Sequence, residues 1–386
     1  KLTFKELLVD MELRNLQNNI VGQEASRLFA RAEINMGVEA FRDSLYSLLK
    51  RNTFLNIKFE NMLDTLGEIS RTDIRSLLGE WEKTTPLPFY SLGEPTLTKI
   101  TNKGGEEFFV LKMLISNNSD YDGIIHMDIR KDGWWYQPLE DPRAKTKIEM
   151  PAHTSKEFVS VWEDQIRNVE INTMVSGNLP NIISQDINNV KQERNKIVKD
   201  SIYILPESSF DLPGEIIVDN EDSTLFILSA PPIVGLLPKW LDEVEETPFK
   251  YSGISWWRPP LQWTATTNDR YYGKYIRSAF VIKSGDGSQT ATWKVPVPEV
   301  GQYDLYYHVF KDDELRWNNN LQGEYHFKVK YGSEVEDAYV NLRKANEGWE
   351  QLGSYYFDSD TIRVVLTDEC KLRSVTADAV KIVKRY

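Results

Sequence analysis

The chain has 386 residues, 41% of them hydrophobic, with a formal net charge of −12 and a single cysteine, Cys370. That apolar share supports packed cores and argues against wholesale disorder, and the length fits about two or three domains. The acidic balance argues against general nucleic-acid binding, which needs a basic face to displace counterions, and one cysteine allows neither a disulfide framework nor a cysteine zinc cluster. No stretch approaches the ~20 apolar residues of a membrane span, and none of these residues reads as a signal peptide. The chain opens at Lys1 inside a helical pattern, which reads as a fragment of a longer protein.

Residues 1 to 85 contain none of the 17 prolines. Apolar residues recur there at helical spacing: Phe4, Leu7, Leu8 and Met11, then Ala25, Leu28, Phe29 and Ala32. The spacing continues in Phe41, Leu45, Leu48 and Leu49, and in Phe59, Met62, Leu63 and Leu66. Gly37 suits a helix C-terminal stop, and Thr72-Asp73-Ile74-Arg75 opens a last short helix through Trp81.

The ordered set Gly22-Gln23-Glu24-Ala25, Met36 to Leu45, Phe59 with Leu63, Asp73-Ile74, and Trp81 before Leu87-Pro88 resembles the helices closing the catalytic domain of zinc aminopeptidases of the aminopeptidase N family. With Ile115 to Asn118, Val169 to Thr173 and Asn178-Leu179-Pro180, the resemblance covers roughly residues 15 to 185 and implies a β-sandwich after the helices. Zinc hydrolysis of peptides requires two histidines one helical turn apart with a glutamate base between them. Here His126, His153, His308 and His326 all stand more than five residues from one another. The resemblance therefore implies a non-catalytic C-terminal region, whose zinc-bearing half precedes Lys1.

Residues 89 to 185 read as strands. Glu107 to Ile115 is mostly apolar, a turn follows at Asn117 to Asp120, and Ile125, Met127 and Ile129 then alternate with His126 and Asp128. Trp134 and Trp135 are adjacent and face opposite ways on a strand. They form either a ligand platform or one core ring beside one ring packed on a neighbouring domain. Asp186 to Arg194 is polar without strand periodicity and reads as a short surface helix or linker. Ser201 to Leu205 is a further short apolar run, and the domain boundary is placed just beyond it.

The C-terminal part is organised around Ala291 to His308. Tyr303, Leu305, Tyr307 and Val309 fall on one parity and Asp304, Tyr306 and His308 on the other, as a half-buried strand requires. Short runs at Tyr325 to Tyr331, Ile362 to Leu366 and Val380 to Val383 add strands of a sandwich. The fold class is thus α+β and multidomain: a helical segment over 1–88, a β-sandwich over 89–205 and a jelly-roll-like β-sandwich over 206–386.

Asp219-Asn220, Tyr271-Tyr272-Gly273, Ala291-Thr292-Trp293, Gly301-Gln302-Tyr303, Trp349 to Gly353 and Ala377 to Val380 follow one another in an order that resembles the golvesin and xanthan-lyase carbohydrate-binding-like module. The match covers roughly residues 215 to 386, with Pro231 to Tyr251 standing out as an insertion. It implies a terminal module of an extracytoplasmic bacterial protein, one that binds a polysaccharide or cell-envelope glycan or mediates attachment.

Sugar rings stack on aromatic faces while amides and guanidinium groups bond their hydroxyls. Trp317 with Arg316, Asn318, Asn319 and Asn320 has that chemistry on one loop, and Trp256, Trp257 and Tyr272 are further candidates. An ordinary hairpin loop with a tryptophan folded on the core fits the same residues. Asp378, Asp358 and Asp360 are the weak calcium candidates; otherwise Asp378 accepts backbone hydrogen bonds at a strand start. No other cofactor is expected, and Cys370 reads as an inert thiol. Two further readings stay open: accessory domains that only brace an upstream catalytic part, and a region of a polysaccharide lyase or hydrolase.

Overall fold

The structure, a computed structural model, describes residues 26, 29–53, 55–70, 73, 87–131, 137–187, 189–194, 198–206, 214–229, 250–251, 253–255, 257–311 and 323–385. It divides into two compact units, residues 1–209 and 210–386.

In the first unit, helical residues 29–36 end at Gly37, whose φ of 85° few other residues adopt. Its N–H donates to the carbonyl of Glu33 at 2.8 Å, closing that helix, and α1 (Val38–Arg51) starts immediately after. Phe41 of α1 packs with Leu63 and Leu66 of α2 (Phe59–Ser70), Leu45 packs against the same cluster, and Leu48 is also buried. Leu49 and Phe59, expected in the buried set, are instead exposed. Leu49 lies one position beyond the Phe41–Leu48 stripe, so its side chain points about 100° away from the core.

Eleven strands follow: β1 (Tyr90–Leu92), β2 (Thr96–Thr101), β3 (Glu107–Asn117), β4 (Gly123–Lys131), β5 (Gln137–Pro138), β6 (Lys145–Met150), β7 (Thr154–Trp162), β8 (Ile166–Asn172), β9 (Ile182–Asp186), β10 (Val190–Arg194) and β11 (Ser201–Pro206). They form one sheet in the order β10-β2-β3-β7-β11, with β1 on β3, and another in the order β5-β4-β8-β9, with β6 on β4. Leu111, Met113 and Ile115 from the first meet Ile125, Met127 and Ile129 from the second in a largely aliphatic core. The polar stretch around Val190 is neither helix nor linker but β10, paired in parallel with β2. It has a single strand neighbour, so most of its side chains stay in water and carry no alternating signal.

Residues 88–90 are clasped where they enter this sandwich. The Asn178 amide donates to the Tyr90 carbonyl at 2.8 Å and its oxygen accepts from the Tyr90 N–H at 2.9 Å. Gly177 N–H donates to the Pro88 carbonyl, and Asn118 N–H to that of Phe89. A side chain at Gly123 would strike the Tyr90 hydroxyl, and one at Gly177 the Phe89 ring. The helices join the same unit through Ala30 and Ile34, packed on Ile124 and Met174, and through the Glu33–Lys147 ion pair.

The second unit contains β12 (Glu215–Val218), β13 (Phe226–Ser229), β14 (Thr264–Thr267), β15 (Ser278–Lys283), β16 (Thr290–Pro296), β17 (Gly301–Val309), β18 (Glu324–Tyr331), β19 (Glu334–Asn341), β20 (Gly348–Phe357), β21 (Thr361–Thr367), β22 (Ser374–Ala377) and β23 (Val380–Lys384). The sheets run β12-β23-β17-β20, β13-β16-β21-β18-β19 and β14-β15-β22. The parity read from β17 is the observed one, with Tyr303, Leu305, Tyr307 and Val309 all buried. They meet Trp293, Phe327 and Phe357 in one continuous core. Its aromatic tips are bonded: the Tyr307 hydroxyl donates to the Thr376 carbonyl at 2.5 Å, and Trp293 Nε1 donates to the Asp378 carbonyl at 3.2 Å. Among the described residues no helix is long and apolar enough to cross a membrane.

Candidate functional site

Asp378 sits in the turn between β22 and β23 and is fully buried. Its carboxylate accepts the Tyr272 N–H at 3.2 Å on each oxygen, and His308 Nδ1 lies 2.9 Å from Oδ2. His308 faces outward from β17 directly opposite Trp349 of β20. The Tyr272 ring meets both, with centroids 5.8 Å from His308 and 5.1 Å from Trp349. Lys381 places its Nζ 4.8 Å from the Trp349 centroid and 2.9 Å from a Glu215 oxygen. The result is a tight aromatic cluster over a buried acid.

A second acid belongs to this group. Burial, and then the charge of Asp378, push the Asp219 carboxyl up to about 9. Burial also raises Asp378, opposed by the neighbouring His308. Burial thus favours the protonated form of both carboxyls, and the charge of Asp378 adds to that effect at Asp219. The Asn220 amide, oriented to suit its neighbours, donates to Asp219 Oδ1 at 2.6 Å and to the Ser278 carbonyl at 2.7 Å.

A cavity of about 230 Å³ opens on the outer face of the five-stranded sheet, lined by His326, Tyr339, Asn341, Glu324, Glu369 and Lys371 among others. The β18–β19 hairpin turns at Gly332-Ser333, which sets His326 opposite Tyr339. Their rings stack at 4.8 Å, only 7° from parallel. Asp337 fixes the imidazole at 2.7 Å on Nε2, and Glu369 lies 3.3 Å from Nδ1. Tyr339 remains 57% exposed although His326 covers one of its faces. Cys370 borders the same cavity, with its thiol pushed up by burial, as an inert cysteine requires.

Of the residues picked from sequence, Tyr272 and Asp378 come together, joined by His308. Trp257 lies elsewhere, 81% exposed with the Arg373 guanidinium 5.0 Å over its ring. Trp256, Arg316, Trp317, Asn318, Asn319 and Asn320 lie outside the described residues, as do Trp134 and Trp135. Asp358 and Asp360 occupy the β20–β21 turn at the Gly301 end of β17, whereas Asp378 is at its His308 end. The three calcium candidates are thus not brought together. Among the described residues no group of three or more His, Cys, Asp or Glu side chains is placed to hold a metal. Sequence reasoning missed the His326–Tyr339 pair, although folding the hairpin about Gly332 would have aligned it.

The second unit is a β-sandwich with an aromatic outer surface and buried acids behind it. Within it, residues 259–384 match the Golvesin C-terminal domain family, which supports the golvesin-like module expected there. No curated protein sequence matches the chain. Among solved structures, Bacteroides uniformis β-glucuronidase is similar at 12% identity and a TM-score of 0.22, covering 82% of this chain and 32% of that one. A calcium-binding mutant of B. uniformis β-glucuronidase 2 gives 11% and 0.21, with 81% and 32% covered. The same enzyme covalently bound to cyclophellitol-6-carboxylate aziridine gives 13% and 0.21, with 82% and 32% covered. This chain thus spans about a third of the length of those structures, and likenesses so distant say nothing of its chemistry. None of these matches supports the aminopeptidase resemblance of residues 15–185.

Proposed function

We propose that residues 210–386 are a carbohydrate-binding accessory module, and that the chain is a non-catalytic region of an extracytoplasmic bacterial protein. The observation that carries this reading is Tyr339, an exposed ring backed by His326 at the edge of a cavity lined with an amide, carboxylates and an amine. A pyranose placed there stacks its apolar face on the phenol ring, while Asn341, Glu324 and Lys371 bond its hydroxyls. Bracing by Asp337 and Glu369 keeps the platform ordered before binding, which lowers the entropic cost. The match of residues 259–384 to the golvesin family is consistent with this role. Isothermal titration with a monosaccharide panel tests it: saturable heat in the wild type should vanish in Tyr339→Ala, and equal heats from both proteins would remove the site.

A second reading is favoured by α1. Val38, Tyr46 and Leu49 are 59%, 65% and 61% exposed and fall within about 80° on one helix face. We infer that the first unit braces further polypeptide there, such as the catalytic part of an aminopeptidase-like parent. Changing all three to serine should leave stability within about 0.5 kcal/mol per site and abolish self-association of the isolated chain in sedimentation. If the isolated chain with α1 unchanged sediments as a monomer, the face needs no cover and this reading fails.

A further inference from the structure

We propose that the outward face of the sheet β12-β23-β17-β20 is a second glycan-binding surface, which takes the interior of an extended, neutral polysaccharide rather than a terminal sugar. The proposal rests on the carbohydrate reading above but on different residues, on a different sheet.

The face is built by a break in register. Trp349 and Tyr356 are seven positions apart on β20, and on a regular strand an odd separation would send them to opposite faces. Between them, Leu305 pairs with Gly353 while the next residue, Tyr306, pairs with Gln351, so Leu352 is an extra residue on β20. That bulge restores the phase. Trp349 then stands opposite His308, and Tyr356 opposite Gln302, both rings on the outer side. Tyr356 is 60% exposed, whereas its neighbours Tyr355 and Phe357 are buried.

From His308 to Gln302 the strand advances about 20 Å at roughly 3.4 Å per residue, longer than any single pyranose. The interval between the two rings is polar and already ordered. Asp304 accepts from Gln351 Nε2 at 3.0 Å, from Ser354 Oγ at 2.5 Å and from Arg385 Nε at 2.8 Å. An aromatic ring at each end with fixed hydrogen-bonding groups between them suits a chain lying along the sheet, its ring faces on Trp349 and Tyr356 and its hydroxyls on Gln351, Ser354 and Arg385.

Charge selects the class of glycan. The two cations on this face are each committed to an acid of the same face, Lys381 to Glu215 and Arg385 to Asp304. Binding a uronate would mean breaking one of these pairs, whereas a neutral chain leaves both intact.

Affinity electrophoresis through gels containing starch, hydroxyethylcellulose, galactomannan or xylan, with alginate as the acidic comparator, tests this. At least one neutral polymer should retard the wild type and alginate should not. Tyr356→Ala should weaken that retardation about tenfold. Trp349→Ala should act like Tyr356→Ala. Because Trp349 packs on Tyr272 and His308, the exposed Tyr356 is the decisive position, and a cooperative melt like that of the wild type certifies its fold. Retardation lost in Tyr339→Ala but kept in Tyr356→Ala overturns the sheet-face site and leaves the carbohydrate reading standing. Preferential retardation by alginate overturns the neutral class. Absence of retardation by every polymer, with monosaccharide heats intact, overturns the extended-chain site alone; absence of both overturns the two together.

Discussion

The two sandwiches bury different chemistry. The first packs leucine, isoleucine and methionine with Tyr90, Phe109, Phe158 and Trp162, and among the described residues its buried polar side chains are all neutral, Ser116, Asn117, Asn168 and Asn178 among them. The second packs valine, isoleucine and leucine around Trp293, Tyr303, Tyr307, Phe327 and Phe357, and it buries the acids Asp368 and Asp378. Neutral amides inside the first close backbone bonds: Asn117 alone donates to the carbonyls of Tyr121, Met150 and Pro151. In the second, burial raises the carboxyls of Asp219 and Asp378 side by side, an arrangement that accumulates near binding and reactive sites. The contrast is consistent with the proposed division of a bracing first unit and a recognising second one.

The sharpest way to break that contrast is to empty the aromatic core. Trp293→Ala removes the largest fully buried side chain of the second unit and the partner of the Asp378 carbonyl. It should cost about 5 kcal/mol in urea unfolding, at the top of the usual range for such truncations. A loss below about 2 kcal/mol would mean that the core tolerates a large void and is not the close-packed element described. Next comes a matched pair of polar deletions. His308→Ala strands a buried carboxylate and should cost about 3 kcal/mol, whereas Asn178→Ala in the first unit strands only neutral backbone groups and should cost about 1–2 kcal/mol. Equal costs would show that Asp378 carries no charge worth compensating.

The pH slopes have opposite signs in the two units. Asp219, raised to about 9 by burial and by Asp378, keeps its proton when folded, while an unfolded aspartate ionises near 3.9. Folding takes up that proton, so the stabilising contribution is whole below about pH 4 and lost as pH rises through about 9. Asp219→Asn should therefore gain on the wild type as pH rises from 5 to 8, by up to about 1.4 kcal/mol per unit. His126 in the first unit is shifted the other way, lowered by burial and then by Lys147. Its contribution is whole above about pH 6.5 and lost as pH falls through the folded value, so His126→Gln should gain on the wild type in acid. Urea titrations at pH 5, 7 and 8.5 read both, and parallel curves for variant and wild type would cancel either assignment.

Much of the fold was legible because burial imposes a period. Tyr303, Leu305, Tyr307 and Val309 announced β17 by alternation, and Gly37 announced the end of a helix by its need for a positive φ. What alternation cannot report is an edge: Val190 to Arg194 forms a strand whose side chains stay largely in water, so its residues look like a linker. The site was harder to read for another reason. His308 and Asp378 are seventy positions apart, and only the pairing of β17 with β23 and the turn before it brings them into contact. Tyr272 and Asp378 were each visible as candidates, but sequence gave no reason to place them together. The loop tryptophan Trp317 drew attention through composition, whereas Tyr339 did not, since a single tyrosine in an acidic hairpin is unremarkable until its partner ring is known.

The clasp around Pro88, Phe89 and Tyr90 has a mechanical implication. A connector held by backbone bonds on both sides, with glycines cut away to admit its rings, behaves as a weld and not as a swivel. Helices and first sandwich should tumble as one body, survive limited proteolysis as one fragment, and present whatever docks on α1 at a fixed angle to the strands.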